Sequence, residues 1–177
     1  MHALWQNVAM KTIELPGGSQ KPSMSSDFIT CVGAVVSGAD SLLAVRQAKG
    51  HPLEGQWTIP WGRLEPGESP ASAALREVKE ESGIVAAVTG LIGVQELPEP
   101  WLGSFALVYH CDRVNGDPTP DFRETDAAAF LTMDQIRDSN EPFEPWSRWL
   151  MIRVLNGEHS VTLPARSNPY SPQIGFL

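Results

Sequence analysis

The sequence predicts an α/β protein: a mixed β-sheet covered by helices on both faces. Three observations carry this. Short apolar runs rich in β-branched residues are punctuated by Gly, Pro and Asp turns. One segment, ending near Ser82, shows the 3.6-residue apolar period of a helix between a clear start and a clear stop. A second apolar helical pattern follows Pro142. Two helical segments against several strands, some joined by hairpins, suggest a mixed sheet covered by helices, an α/β/α sandwich. With 177 residues the chain suits one domain with a proper core. That domain is read as residues 27–160, with a flexible extension at 1–26 and a tail at 161–177.

In chain order, residues 1–26 lack periodicity, and Met10 and Met24 leave a later start open. Structure is expected from about Phe28. Ile29–Val36 reads as a strand, Gly38-Ala39-Asp40 as a turn, and Ser41–Arg46 as the hairpin partner. A polar loop follows, then a short extended piece, Trp57-Thr58-Ile59, leading into Pro60. Ser69 is placed to cap a helix, Pro70 sits where a missing N–H costs nothing, and Gly83 ends it. Ala71, Ala74, Leu75 and Val78 form its core stripe. Val85–Glu96 reads as one strand or two short ones, Phe105–Arg113 as a half-buried strand, and residues 114–126 as a loop. Ala127–Leu131 is a further strand, and Met133–Arg137 a short helix. Phe143, Trp146, Trp149, Leu150 and Ile152 suit an amphipathic helix. The proline-rich tail is expected to wrap the surface or to be disordered.

Thirteen Lys and Arg against 21 Asp and Glu give a formal charge of −8, which argues against broad binding to a nucleic-acid backbone. A small anionic substrate fits only if metal ions supply positive charge. Cys31 and Cys111 sit in apolar strand-like surroundings and read as buried free thiols of a reducing compartment; no CxxC or Cys/His cluster points to zinc. Apolar runs fall far short of the roughly 18 residues that span a bilayer. The first residues lack a basic stretch followed by an apolar one, so no signal peptide is read and the cytoplasm is the default.

The helix ending at Ser82 also carries Glu77, Glu80 and Glu81 at i, i+3 and i+4, on one face. Like charges so placed repel, more strongly when partly buried. Mg²⁺ or Mn²⁺, which prefer oxygen ligands, would remove the repulsion. The plainer reading is a solvated acidic face relieved by Arg76 and Lys79. The wider spacing decides between them. Gly62, Glu68, Arg76-Glu77-Val78, Glu80-Glu81 and Gly83-Ile84 resemble the Nudix box of the Nudix hydrolases, with no departure from its pattern. The preceding Trp57-Thr58-Ile59-Pro60 is similar to the family's approach to the box.

The resemblance implies an α/β/α sandwich that hydrolyses nucleoside diphosphates linked to another moiety, by attack of metal-activated water on phosphorus. It implies Glu80 and Glu81 as metal ligands, and Glu77 as a further ligand or the general base. Glu68 would support the metal-bound water, Arg76 would orient Glu77, and the Trp61 backbone carbonyl would be another ligand. A carboxylate from a late loop completes such sites; Glu124 is the candidate, with Asp121 the runner-up. The cofactor the resemblance implies is Mg²⁺ or Mn²⁺.

Outside the box, Arg46 and Arg63 are candidates for phosphate contacts. Trp61 is a candidate to narrow the pocket or stack on a base, with packing on its own loop as the alternative. Trp101, Trp146 and Trp149 read as core, His51 and His110 as structural or exposed. Pro98 and Pro100 carry only a faint hint of ADP-ribose hydrolases. The expected partner is a small-molecule nucleotide, with no stable nucleic acid and no membrane; a homodimer stays open. Nucleoside triphosphates, oxidised ones, and ADP-ribose or nucleotide-sugar substrates all remain open. The alternative function is a nucleotide-binding sensor of the same fold without catalysis, and RNA decapping is a weaker third.

Overall fold

A computed structural model of the protein describes residues 30–97, 104–165 and 174–176. The extension at 1–26, the Cys31 side chain, Pro98, Pro100 and Trp101 lie outside the described residues and side chains. The elements are β1 (Thr30–Ser37), β2 (Ser41–Gln47), β3 (Trp57–Thr58), β4 (Trp61–Arg63), α1 (Pro70–Ser82), β5 (Val85–Glu96), β6 (Phe105–Asn115), β7 (Thr125–Thr132), α2 (Met133–Arg137) and α3 (Pro145–Leu155). They form the α/β/α sandwich read from the sequence.

The sheet runs β3-β2-β1-β6-β5, with β4 also on β1 and β7 on β2. Among the described strands only β1 and β6 pair in parallel, in register from Thr30–Phe105 to Ser37–Asp112, so the sheet is mixed. The expected hairpin of β1 and β2 exists, but it pairs only at Ser37–Leu42 before the strands part. The Trp57–Arg63 segment fills the fork. Trp57 and Thr58 pair with β2, while Trp61, Gly62 and Arg63 pair with β1. Pro60 lies where the chain crosses over: it has no N–H for a ladder, and its carbonyl accepts the Ala34 N–H at 3.0 Å.

Alternation along the strands divides the core. Val32, Ala34, Val36 and Leu43 pack with Ala71, Ala73, Ala74 and Val78 of α1. Val35, Leu42 and Ala44 face Ile136 of α2 and Leu150, Met151 and Val154 of α3. In α1 the Ser69 side chain accepts the Ser72 N–H and Gly83 takes a left-handed φ of 70°, as the sequence predicts. Leu75 is only partly buried and Ala73 is fully buried.

Several boundaries differ from the sequence reading. Val85–Glu96 is one strand, bent by three register shifts against β6. The strands β6 and β7 extend further than expected into the 114–126 loop. The helix after Pro142 starts at Pro145, with Glu144 accepting the N–H groups of Trp146 and Ser147; Phe143 precedes it and stacks on Trp57. Trp149 is 53% exposed rather than core, because Ser147, Leu150, Met151 and Val154 share the inward face. Trp146 is partly buried, and its indole N–H donates to Gln95 at 2.9 Å. His110, half-buried, is held between the Ser37 and Thr89 hydroxyls. Cys111 is a buried free thiol, pushed up to about 12 by burial. The described part of the tail wraps the sheet: Thr162 exchanges backbone hydrogen bonds with Leu91, and Phe176 packs on Tyr109. No helix among the described residues is long and apolar enough to cross a membrane.

These assignments for α3 are testable by denaturant unfolding. Met151→Ala removes a fully buried side chain and is expected to cost about 2–5 kcal/mol. Trp149→Ala is expected to cost less than about 1 kcal/mol. The opposite ranking would mean that the helix faces the other way.

Candidate functional site

The site forms where β4 passes the C-terminal half of α1. Gly62 is there because of space: a Cβ at this position would fall 2.1 Å from the Glu77 carboxylate. Glu77 and Glu81, one turn apart, are 6% and 3% exposed, whereas Glu80 stands further out. Glu81 accepts the Trp61 N–H at 3.0 Å, which ties the helix to the strand.

Arg76 organises the carboxylates. Its Nε and Nη2 donate to the two oxygens of Glu68 at 3.1 and 3.0 Å. Its Nη1 donates to Glu77 at 2.7 Å and Glu80 at 3.2 Å, and Nη2 also reaches the Arg63 carbonyl at 3.0 Å. All five N–H donors of the guanidinium are thereby used. The electrostatics follow from burial and from this one cation. Hydrogen bonds from Arg76 hold the Glu68 carboxyl below the usual range. Burial pushes Glu77 up, against the pull of Arg76. Burial pushes Glu81 well up, and the Trp61 N–H offsets only part of that. A buried carboxylate short of positive charge is a place where a cation is favoured.

A cavity of about 490 Å³ opens over this face. Trp61, Gly62, Arg63, Arg76, Glu77, Glu80, Glu81 and Glu124 line it, joined by His51 and Arg123. Of the two late-loop candidates, Glu124 is in the wall. Asp121 instead braces the loop: its Oδ1 accepts the N–H groups of Arg123, Glu124 and Thr125 at 2.9–3.0 Å. Burial alone would raise the Asp121 carboxyl, but these bonds outweigh it and hold it low. Glu68 is not among the wall residues; its carboxylate is held by Arg76. Arg46 is not in the wall; its guanidinium bonds Asp126 at 2.7 Å and Glu141 at 3.0 Å and lies over Trp57.

His51 and Arg123 are wall residues that the sequence reading did not single out as site residues. The His51 ring meets Trp61 edge to face at 5.9 Å, and burial lowers its pKa against the field of Glu124. Neither has a motif to mark it. They arrive because the Ala48 N–H donates to the Glu124 carbonyl at 2.9 Å, joining two loops far apart in sequence.

The donors fit a hard divalent ion in kind, since every carboxylate and carbonyl in the wall offers oxygen. Among the described residues no three acidic or His side chains converge tightly enough to hold a metal as placed. Arg76 lies between Glu77 and Glu80, and Glu80, half-exposed, is the carboxylate with room to turn.

Gly62→Ala would drive a methyl group into the Glu77 carboxylate. The expected result is a 10- to 100-fold loss of Mn²⁺ affinity by calorimetry, typical of disturbing a ligand's support, in a protein that still folds. Unchanged affinity would show that the Glu77 position does not matter to the ion.

A NUDIX domain family model matches residues 27–169. A MutT-like protein of Streptomyces ambofaciens is 33% identical over 123 residues, 70% of this chain and 74% of the relative. An ADP-ribose pyrophosphatase of Methanocaldococcus jannaschii is 30% identical over 88 residues, 49% of this chain and 52% of that protein. The chain thus spans about half of the second relative, and about a fifth of the length of some others. A solved NUDIX hydrolase of Nitrosomonas europaea shares the fold, with a TM-score of 0.63 at 24% identity over 76% of this chain and 93% of that one. The uninterrupted box, the sandwich that displays it and a family match over most of its length lead to one conclusion: the chain belongs to the Nudix family.

Proposed function

We propose that the protein is a Mg²⁺- or Mn²⁺-dependent pyrophosphohydrolase that cleaves the diphosphate linkage of a nucleoside diphosphate derivative by attack of water on phosphorus. The observation that carries this is the convergence of Glu77, Glu80, Glu81 and Glu124 on one cavity beside Trp61 and Gly62. Arg76 is shared among Glu68, Glu77 and Glu80, and Arg123 pairs with Glu124 at 3.2 Å; with the buried Glu81, these two cations face five carboxylates, so the group is left short of positive charge.

Glu77, Glu80, Glu81, Glu124 and the Trp61 carbonyl would hold the ion. When bound it would act as a Lewis acid on phosphoryl oxygens and lower the pKa of the attacking water. The chain's own residues divide the remaining work. The Trp61 N–H fixes the orientation of the Glu81 carboxylate. Glu68 positions Arg76, and Arg76 positions Glu77, which is a ligand or the general base. Arg63 and Arg123 are in the cavity wall and would meet phosphate oxygens, Arg123 from its pair with Glu124. The ring of Trp61 offers a face to the substrate or narrows its path.

Glu80→Gln and Glu81→Gln are each expected to lower kcat by on the order of a hundredfold or more, with folding retained by circular dichroism. Wild-type rates in both variants would sink the assignment. A panel assay of released products identifies the substrate: pyrophosphate with a nucleoside monophosphate marks a triphosphate, and AMP with ribose phosphate marks ADP-ribose.

Ion binding to the native state is expected to raise thermal stability, by about 2.7 kcal/mol at a hundredfold excess over Kd. Glu81→Gln should abolish that gain, read as Tm with and without chelator. An equal shift in wild type and variant would place the ion elsewhere.

A further inference from the structure

Phe122, in the loop between β6 and β7, has a conformation that folding alone does not explain. Its φ is 59°, the only positive value outside glycine among the described residues. In this left-handed region a side chain crowds its own backbone, and a bulky aromatic is a rare occupant. Burial commonly offsets such strain, but Phe122 is 75% exposed and contributes little apolar burial to the fold. Glycine or asparagine would suit the turn better.

The loop itself is firmly held. Asp121 gathers the three N–H groups of Arg123, Glu124 and Thr125. The Thr119 N–H donates to the Ser82 carbonyl at 2.8 Å and the Thr125 hydroxyl to the Glu81 carbonyl at 2.7 Å, so the loop is anchored on the end of α1. The Glu124 carbonyl accepts from Ala48. On this support the two residues after Phe122, Arg123 and Glu124, belong to the cavity wall. Strain that persists at a fixed and exposed position beside a site is a sign of function rather than of loose packing.

We propose that Phe122 is a specificity-determining residue whose ring stacks on the nucleobase of the substrate while the diphosphate lies in the cavity. This rests on the reading above that the substrate is a nucleotide. The chemistry divides accordingly. The cavity wall, with its carboxylates, Arg63 and Arg123, matches a metal-bound diphosphate. A nucleobase needs a flat apolar face; Phe122 is not itself a wall residue, and its exposed ring, one position before Arg123, would supply that face outside the cavity. A phenyl ring has no hydrogen-bonding groups, so it selects for an aromatic base without distinguishing strongly among bases.

The test compares wild type with Phe122→Ala, Phe122→Gly and Phe122→Trp on a nucleoside diphosphate derivative and on a diphosphate ester that lacks a base. Phe122→Ala and Phe122→Gly should raise KM for the nucleotide roughly five- to hundredfold, the usual effect of losing one stacking partner. The fall in kcat should be smaller than the rise in KM. The base-free ester should respond several-fold less, and Phe122→Trp should restore the nucleotide KM. Phe122→Gly should meanwhile raise Tm, because it relieves the backbone, so lost affinity accompanies gained stability. Equal changes on both substrates, or unchanged KM in the Ala and Gly variants, would overturn the proposal. If the wild type hydrolyses no nucleotide, the proposed function fails on its own. Calorimetric binding of a nucleoside diphosphate with Mg²⁺ then decides Phe122: weaker binding in both variants supports the stack, whereas equal binding, or none in wild type, overturns it.

Discussion

One guanidinium sets the geometry of this protein's site. Arg76 reaches from α1 to Glu68 before the helix, to the Arg63 carbonyl at the end of β4, and to Glu77 and Glu80 on its own helix. A lysine could not do this, having a single point charge and three donors in place of a planar fork with five. The charges are also unequal. One cation faces three carboxylates, with the buried Glu81 beside them, so the cluster is orderly yet under-neutralised. Order without neutrality is what a site needs if it is to prefer a divalent ion to a second arginine.

The cluster depends in turn on how the sheet forks. Because β1 and β2 part after one paired position, the Trp57–Arg63 segment enters between them and delivers Gly62 against Glu77. Further support comes from the end of α1. Its last carbonyls, which no helical N–H can satisfy, accept from Thr119 and Thr125, and this fixes the loop that carries Glu124. Helix, fork and loop therefore fix one another, and a change in any of them is transmitted to the carboxylates.

Local features were legible from the residues alone. Ser69, Pro70 and Gly83 announce the bounds of α1 because caps are settled by neighbouring residues. The spacing of Gly62, Glu68, Arg76, Glu77, Glu80 and Glu81 announces the acidic face for the same reason: one helix and its approach carry it. Trp149 shows the limit of such reading. In a helix with apolar residues on several sides, periodicity does not say which side turns inward, and the sheet chose Leu150, Met151 and Val154. Trp146 lies between the two cases, partly buried with its N–H on Gln95.

What the sequence by itself determined is therefore the fold class, the helix and its carboxylates, since each is written in residues a few positions apart. Only the tertiary structure decided which distant residues meet them. It brought Glu124, Arg123 and His51 into the wall, turned Asp121 to the support of its loop, and committed Arg46 to Asp126 and Glu141. Those outcomes depend on strand register and on hydrogen bonds such as Ala48 to Glu124, which join segments with no shared local pattern. Chemistry that resides in one element can be read from its spacing, whereas a cavity wall assembled from several loops exists only once the chain has folded.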